Sequence, residues 1–220
     1  MKKLVIFDLD GTLLNTIADL GAAANYALEQ CGFPVHPLSA YPGFVGSGIT
    51  RLLERVLPES CRTEERVAVM RGYFLSYYGE HMADRTEPYP GVPQLLRSLT
   101  DNGVAVAVAS NKYQEGVTML INRYFGDIPW AAVEGQKEGV PVKPDPSIVF
   151  DILGKCPTPK ADVLYVGDSG IDMETARRAC VESVGVSWGF RPVSELRSHY
   201  ADHIADNTDE LLRLALGEGL

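Results

Sequence analysis

The chain has 220 residues, 45% of them hydrophobic and 22% charged, with a formal net charge of −9. Those proportions fit a globular protein made of one large domain, or of a core with a smaller insert. The acidic balance speaks against a nucleic-acid binder and against docking on an anionic membrane. It leaves an anionic small molecule open, because one metal or lysine reverses the field locally.

The first apolar run, Leu4 to Phe7, is short, bulky and continuous, as in a strand buried on both faces of a parallel sheet. It ends in Asp8-Leu9-Asp10-Gly11-Thr12. Side chains alternate along a strand, so Asp8 and Asp10 share a side where the chain stays extended, and Gly11 then lets the backbone turn away. Two carboxylates placed there call for a metal cation, or for a division of labour between nucleophile and acid/base. The apolar run after Lys2 and Lys3 is too short for a signal peptide or a membrane span, so a cytoplasmic protein is expected. Cys31, Cys61, Cys156 and Cys180 are scattered without metal-ligand spacing, and neither a disulfide nor a zinc site is expected.

Residues 15 to about 86 read as entirely helical. Thr16 to Cys31 is rich in Ala and Leu and stops at Gly32-Phe33-Pro34. Gly48 to Leu57 sets Ile49, Leu52, Leu53, Val56 and Leu57 on one helical face. Thr63 to Ala83 opens with Thr-Glu-Glu-Arg at capping-box spacing and continues through Val67, Met70, Phe74 and Tyr77.

After Pro88 and Pro90 the pattern alternates. Val92 to Asn102 predicts a helix, Val104 to Ala109 a buried strand, Tyr113 to Tyr124 a helix, and Pro129 to Val133 a short strand. A helix over Asp145 to Leu153, a strand over Val163 to Val166 and a helix over Ile171 to Cys180 follow. Ser183 to Val186 and His203 to Ala205 are the last predicted strands, and Asn207 with Glu210 marks the start of a final helix. Strand–helix alternation predicts an α/β fold: a Rossmann-like parallel sheet core (residues 1–14 and 87–220) flanked by helices. Residues 15–86 are then an all-helical cap inserted after the first strand.

In a parallel sheet the polar residues at the strand ends meet at one edge. These are Asp8 and Asp10, then Ser110 in Ala109-Ser110-Asn111-Lys112, then Asp168 in Gly167-Asp168-Ser169-Gly170-Ile171-Asp172. Asp172, four residues past Asp168, falls on the same side of a first helical turn. Lys143 in Val142-Lys143-Pro144 supplies an ammonium. Oxygen ligands without His or Cys favour Mg²⁺. A hard metal, a lysine and a hydroxyl together suit a phosphoryl group. One aspartate can attack phosphorus while the other protonates the leaving oxygen and later activates water.

Through these motifs, taken in this order, the chain resembles the haloacid dehalogenase superfamily. The resemblance implies Asp8 as nucleophile and Asp10 as general acid/base, with Ser110, Asn111 and Lys143 around the phosphate. It implies Asp8, Asp10 through its backbone carbonyl, and Asp168 around Mg²⁺, with Asp172 ligating or supporting. Dehalogenases of the superfamily lack the second carboxylate, so Asp10 argues for phosphoryl transfer. The helical block, Val45-Gly46-Ser47-Gly48, Ser110-Asn111-Lys112 and Val186-Ser187-Trp188-Gly189 resemble phosphoglycolate phosphatases in particular.

The partner expected is therefore a small phosphorylated metabolite, phosphoglycolate first. A pyrophosphatase, a broad sugar-phosphate or nucleotide phosphatase, a hexose-phosphate mutase and a non-catalytic phospholigand-binding protein are the alternatives. No lysine lies between Leu14 and Pro90, which argues against the Schiff-base phosphonoacetaldehyde hydrolases of the superfamily. Among the arginines, Arg51 follows Gly46-Ser47-Gly48 near a helix start, where a guanidinium and backbone N–H groups suit the distal anion of a substrate.

Overall fold

Leu4–Phe7 (β1) is buried along its whole length in the computed structural model, which describes residues 1–218. The chain divides into two units, Met1–Leu14 with Pro88–Leu220, and Asn15–Glu87. It leaves the first through the short strand Leu14–Asn15 (β2) and returns through Glu87–Pro88 (β3).

The helical unit holds Ile17–Gln30 (α1), Gly48–Val56 (α2) and Glu64–His81 (α3). Leu20, Ala23, Ala24, Ala27 and Leu28 of α1 and Ile49, Leu52, Leu53 and Val56 of α2 are buried, the stripes that their spacing predicts. On α3 the buried set is Val67, Met70, Phe74 and Tyr78. Tyr77, assigned to that face from sequence, is half-buried and stacks on Tyr26 and His81 at ring-centroid distances of 4.8 and 4.3 Å. The side chain of Thr63 caps α3 by accepting from Arg66 N, but arginine at the third position has no acceptor to return, so the capping box is half made.

The ends of this unit are fastened by Asp19, a buried carboxylate in the first turn of α1. Its Oδ2 accepts from the backbone N–H groups of Arg85 and Thr86 at 2.9 and 2.8 Å and from Thr86 Oγ1 at 2.9 Å. Asp19→Ala strands two buried or half-buried N–H donors and is expected to lower stability by about 2–4 kcal/mol in urea denaturation. Asp19→Asn keeps one acceptor oxygen and is expected to lose less.

In the other unit, Val92–Asp101 (α4) leads into Ala105–Tyr113 (β4), Gln114–Phe125 (α5) and Trp130–Gln136 (β5). Ser147–Lys155 (α6), Val163–Gly167 (β6), Gly170–Ala179 (α7), Glu182–Val186 (β7), Val193–Ser198 (α8), His203–Ala205 (β8) and Thr208–Leu216 (α9) complete it. The six-stranded sheet has the order β5-β4-β1-β6-β7-β8, and its ladders are parallel. Leu4, Ile6, Ala107, Ala109, Val163 and Tyr165 cover one face and pack on Val149 and Ile152 of α6 and Ala176 and Ala179 of α7. The alternate residues Val5, Phe7, Val106, Val108, Leu164 and Val166 are equally buried, which accounts for the continuous apolar runs. Each large side chain so buried is worth about 1.5–3 kcal/mol.

Three elements of this unit depart from the sequence reading. Strand β4 does not stop at Ala109 but runs on to Tyr113. Its partner β5 likewise extends to Gln136, and the two pair again at Tyr113 and Gln136 after a register shift. Gln114 fixes that extension: Oε1 accepts from Gly135 N at 2.7 Å and Nε2 donates to the carbonyl of Val133 at 3.1 Å. Helix α8 was not expected, because six residues after Pro192 are too few to show a period.

The chain moves outward from β1 through β4 and β5, then crosses back to β6 on the other side of β1. The carboxyl end of β1 is thus the point where strand order reverses, the place where open parallel sheets bind ligands.

Candidate active site

The register Phe7 with Val108 and Phe7 with Val166 carries three chain segments past the sheet edge side by side. Asp8 follows the central strand, Ser110 to Lys112 lie on one neighbour, and Asp168 begins the loop after the other. All of these are buried, and Asp10, two residues past Asp8, is half-buried.

Lys143 reaches this point from the loop before α6. Its ammonium lies 2.8 Å from Asp8 Oδ1 and 2.8 Å from Asp172 Oδ1, and donates to the carbonyl of Ala109 at 2.9 Å. Asn111 sets its height: Oδ1 accepts from Lys143 N at 2.8 Å and Nδ2 donates to the carbonyl of Lys143 at 3.1 Å. Ser110 Oγ accepts from Lys112 N at 3.2 Å, which leaves its own O–H to donate elsewhere.

Asp172, the third residue of α7, turns back on the loop that precedes it. Its Oδ2 accepts from the hydroxyl and the N–H of Ser169 at 2.6 and 3.2 Å, the capping box of the helix. Its Oδ1 accepts from Lys143 and, at 3.4 Å, from the hydroxyl of Tyr165. Both oxygens of Asp172 are therefore occupied by protein donors. Asp168 Oδ2 accepts from Phe190 N at 2.7 Å. No protein donor holds its Oδ1 or the Oδ2 of Asp8 among the described residues.

Asp8, Asp168 and Asp172 bring carboxylate oxygens within 4.8 Å of one another. Burial, opposed by Lys143 and reinforced by the charges of Asp172 and Asp10, pushes the Asp8 carboxyl up to about 7. Burial together with Asp172 and Asp8 pushes Asp168 well above the ordinary carboxylate range. Burial alone would lower Lys143, but Asp172 and Asp8 outweigh it and hold the ammonium well above its usual value. Three buried carboxylates thus face one ammonium. The protein alone must take up protons here, and a hard divalent cation could replace them. An all-oxygen donor set with two unoccupied carboxylate oxygens fits Mg²⁺.

Asp10 stands outside that cluster. Its Oδ2 lies 3.1 Å from the buried ammonium of Lys112, a residue the sequence reading gave no role. A signal was present, since Ser110 and Lys112 are two apart and share a side wherever the strand continues past Ala109. The clamp on Asp168 was also missed. A Cβ at Gly189 would lie 2.2 Å from Asp168 Cβ and 2.6 Å from the carbonyl oxygen of Gly11, so only glycine lets the segment Trp188–Phe190 close over the metal-ligand candidate. Trp188 Nε1 donates to the carbonyl of Thr12 at 3.1 Å and ties the same segment to the loop after β1. Glu195 of α8 accepts from Gly170 N at 3.0 Å and fastens the start of α7.

The specificity candidates lie in the helical unit. Gly46 and Gly48 both have positive φ, 104° and 81°, and Ser47 precedes α2. Arg51 is 66% exposed and pairs with Glu54 at 2.6 Å. Arg55, not Arg51, holds the glycine turn, donating to the carbonyl of Phe44 at 2.9 Å and to Ser47 Oγ at 3.0 Å.

Comparison with known proteins agrees with this geometry. The family model for haloacid dehalogenase-like hydrolases matches residues 5–186. The phosphoglycolate phosphatase of Aquifex aeolicus is 31% identical over 220 residues, covering 96% of this chain and 96% of its own. That of Pseudomonas fluorescens is 33% identical over 206 residues, covering 89% of this chain and 74% of its own. A solved structure from Lactobacillus delbrueckii subsp. bulgaricus, a candidate phosphoglycolate phosphatase, superposes with a TM-score of 0.93 at 34% identity, covering 99% of this chain and 100% of that one. No helix among the described residues is long and apolar enough to cross a membrane. With the aspartates and serine of the strand ends and Lys143 gathered at one edge and these matches running nearly end to end, the chain belongs to the haloacid dehalogenase-like hydrolases and is a phosphatase of that family.

Proposed function

We propose that this phosphatase is a Mg²⁺-dependent phosphomonoesterase acting through an aspartyl-phosphate on Asp8, with phosphoglycolate as its substrate. The observation that carries the mechanism is the unequal treatment of the first two aspartates. Asp8 is buried with one oxygen on Lys143 and the other without a protein donor, whereas Asp10 is paired with a lysine of its own.

The Asp8 carboxylate attacks phosphorus in line as the bond to the ester oxygen breaks, and Asp10 gives the ester oxygen a proton. Asp10 then takes a proton from the water that attacks the acyl phosphate, releasing inorganic phosphate and restoring the Asp8 carboxylate. Ser110 Oγ–H and the Lys143 ammonium donate to the transferring oxygens, and Asn111 contributes through the backbone of Lys143 that it holds. Asp8, Asp168 and the backbone carbonyl of Asp10 would hold Mg²⁺, which supplies the positive charge that lets a phosphate dianion approach a carboxylate. Asp172, with both oxygens occupied, supports the site by anchoring Lys143.

The substrate reading is supported by the names of the relatives, and the binding of its distal anion by Arg51 is part of the same proposal. The acidic balance supports a small metabolite over a nucleic-acid partner. Phosphate release from phosphoglycolate, pyrophosphate, hexose phosphates and nucleotides, with Mg²⁺ and with EDTA, tests both parts. Expected are release that EDTA abolishes and a kcat/KM for phosphoglycolate at least about tenfold above the rest, a gap that Arg51→Ala narrows. Release that survives EDTA overturns the metal requirement, and equal rates across the panel overturn the substrate.

A further inference from the structure

The ion pair to Lys112 sets Asp10 apart from Asp8, but Lys112 itself has no step in the scheme so far. The Lys112 side chain is 3% exposed and its ammonium is 3.1 Å from Asp10 Oδ2. Taking an ammonium out of water costs several kcal/mol unless a partner repays it, so a buried lysine aimed at one carboxylate is a costly arrangement for a surface loop. The partner is also an unusual one. Asp10 precedes Gly11, whose φ of +89° turns the chain away from the sheet, and the Asp10 side chain keeps 16% exposure. Lys112 comes from a different strand, and that strand is held rigidly: its neighbours Ser110 and Asn111 are buried, and Asn111 grips Lys143 at both amide atoms.

We propose that Lys112 is a positioning residue for proton transfer, tethering Asp10 by Oδ2 so that Oδ1 exchanges the proton with the leaving oxygen and then with water. This rests on the assignment of Asp10 as acid/base. In the first step the O–H bond at Asp10 Oδ1 breaks as the ester oxygen leaves phosphorus and takes the proton, and the Asp10 carboxylate so formed stays paired with the ammonium. In the second step the proton returns from water to the same oxygen. A tether from rigid β4 holds the carboxyl in one rotamer through both steps, which the turn at Gly11 does not provide by itself.

Leaving groups distinguish this role from a structural one. An alkoxide leaving oxygen needs the proton, whereas nitrophenolate leaves without it. The experiment measures kcat/KM for phosphoglycolate and for p-nitrophenyl phosphate with the parent, Lys112→Met, Lys112→Arg and Asp10→Asn enzymes, all with Mg²⁺. Lys112→Met is expected to lose about 10²-fold on phosphoglycolate and less than about threefold on p-nitrophenyl phosphate, with Lys112→Arg recovering most of the loss. Lys112→Gln, which keeps a donor but removes the charge, gives the same comparison if the methionine variant does not fold. A loss equal on both substrates in a folded variant, or no loss on either, overturns the proposal. Asp10→Asn must show the same split. If it does and the Lys112 variants do not, the role of Lys112 falls alone; if it does not, the acid/base assignment of Asp10 falls first.

Discussion

Lys143→Met is expected to lower the stability of the metal-free protein by about 3–5 kcal/mol and to reduce phosphate release by about 10²–10³-fold. The ammonium is 1% exposed and makes three contacts at 2.8–2.9 Å, two of them to carboxylates. Methionine fills the same volume and returns none of them, so Asp8, Asp168 and Asp172 are left buried together without compensation. Burial lowers the Lys143 pKa, but Asp172 and Asp8 outweigh it and hold the group above its ordinary 10.5, so its contribution is complete below about pH 10.5 and is lost only at higher pH. The deficit is therefore expected to be present throughout the neutral range. Added Mg²⁺ should recover part of the stability, since a cation among the same oxygens offsets the same repulsion, but not the activity, since the phosphate loses a donor. Lys143→Arg is not expected to rescue, because a planar fork does not fit three acceptors arranged around a point. Urea denaturation with and without Mg²⁺, beside phosphate release, checks both halves. An unchanged midpoint would show that the carboxylates are kept apart by something other than Lys143.

Much of this site was legible because its scaffold is simple. Leu4–Phe7 and Val163–Val166 are short runs of large apolar residues, and such runs sit in the middle of a parallel sheet with both faces covered. Once three strands run the same way, the first polar residue past each has to meet the others, and Asp8, Ser110 and Asp168 follow from that alone. Lys143 was placed by its chemistry and not by its element, since it stands in the loop before α6.

What stayed hidden depends on distances along the chain or on backbone atoms. Lys112 was passed over because polar residues after Ala109 look like the end of a strand, and only the pairing of Tyr113 with Gln136 shows that extension persists. Phe190 acts on Asp168 through its N–H, which any non-proline residue possesses, and Gly189 acts through the side chain it lacks. In the helical unit one buried position is displaced by a residue, and one side-chain contact had no signal in the sequence. Tyr78 takes the buried place that spacing assigned to Tyr77, a drift that a helix of 3.6 residues per turn accumulates over α3. Arg51 and Arg55 stand one turn apart on α2, and nothing in the sequence says which of them reaches back to Phe44 and Ser47.

Asp8→Asn is expected to act in opposite directions on activity and stability. Phosphate release should fall by at least about 10⁴-fold, the scale on which loss of a covalent nucleophile acts. The metal-free protein, in contrast, should become more stable at pH 8. Burial, with Asp172 and Asp10 reinforcing it against Lys143, raises the Asp8 pKa from 3.8 to about 7. A carboxyl whose folded pKa lies above its unfolded pKa binds more protons in the folded state between those values. Stability therefore falls as pH rises from about 4 to about 7 and stays reduced above that, by a few kcal/mol at about 1.4 kcal/mol for each pKa unit. An asparagine at this position does not titrate, so its metal-free melting temperature should lack the part of the decline between pH 5 and 7 that Asp8 causes. Mg²⁺ should raise the melting temperature of the parent more at pH 8 than at pH 5, where protons compete for the same oxygens, and should raise that of Asp8→Asn less at either pH. Calorimetry from pH 5 to 8 with and without Mg²⁺ reads these differences. Parallel curves for the two proteins would mean that burial places no penalty on the Asp8 charge, and retained release would place the nucleophile elsewhere. Both expectations have one origin: burial raises the Asp8 pKa, so the carboxylate proposed to attack phosphorus is held where the folded chain alone penalises its charge, and a cation at the same oxygens would offset that penalty.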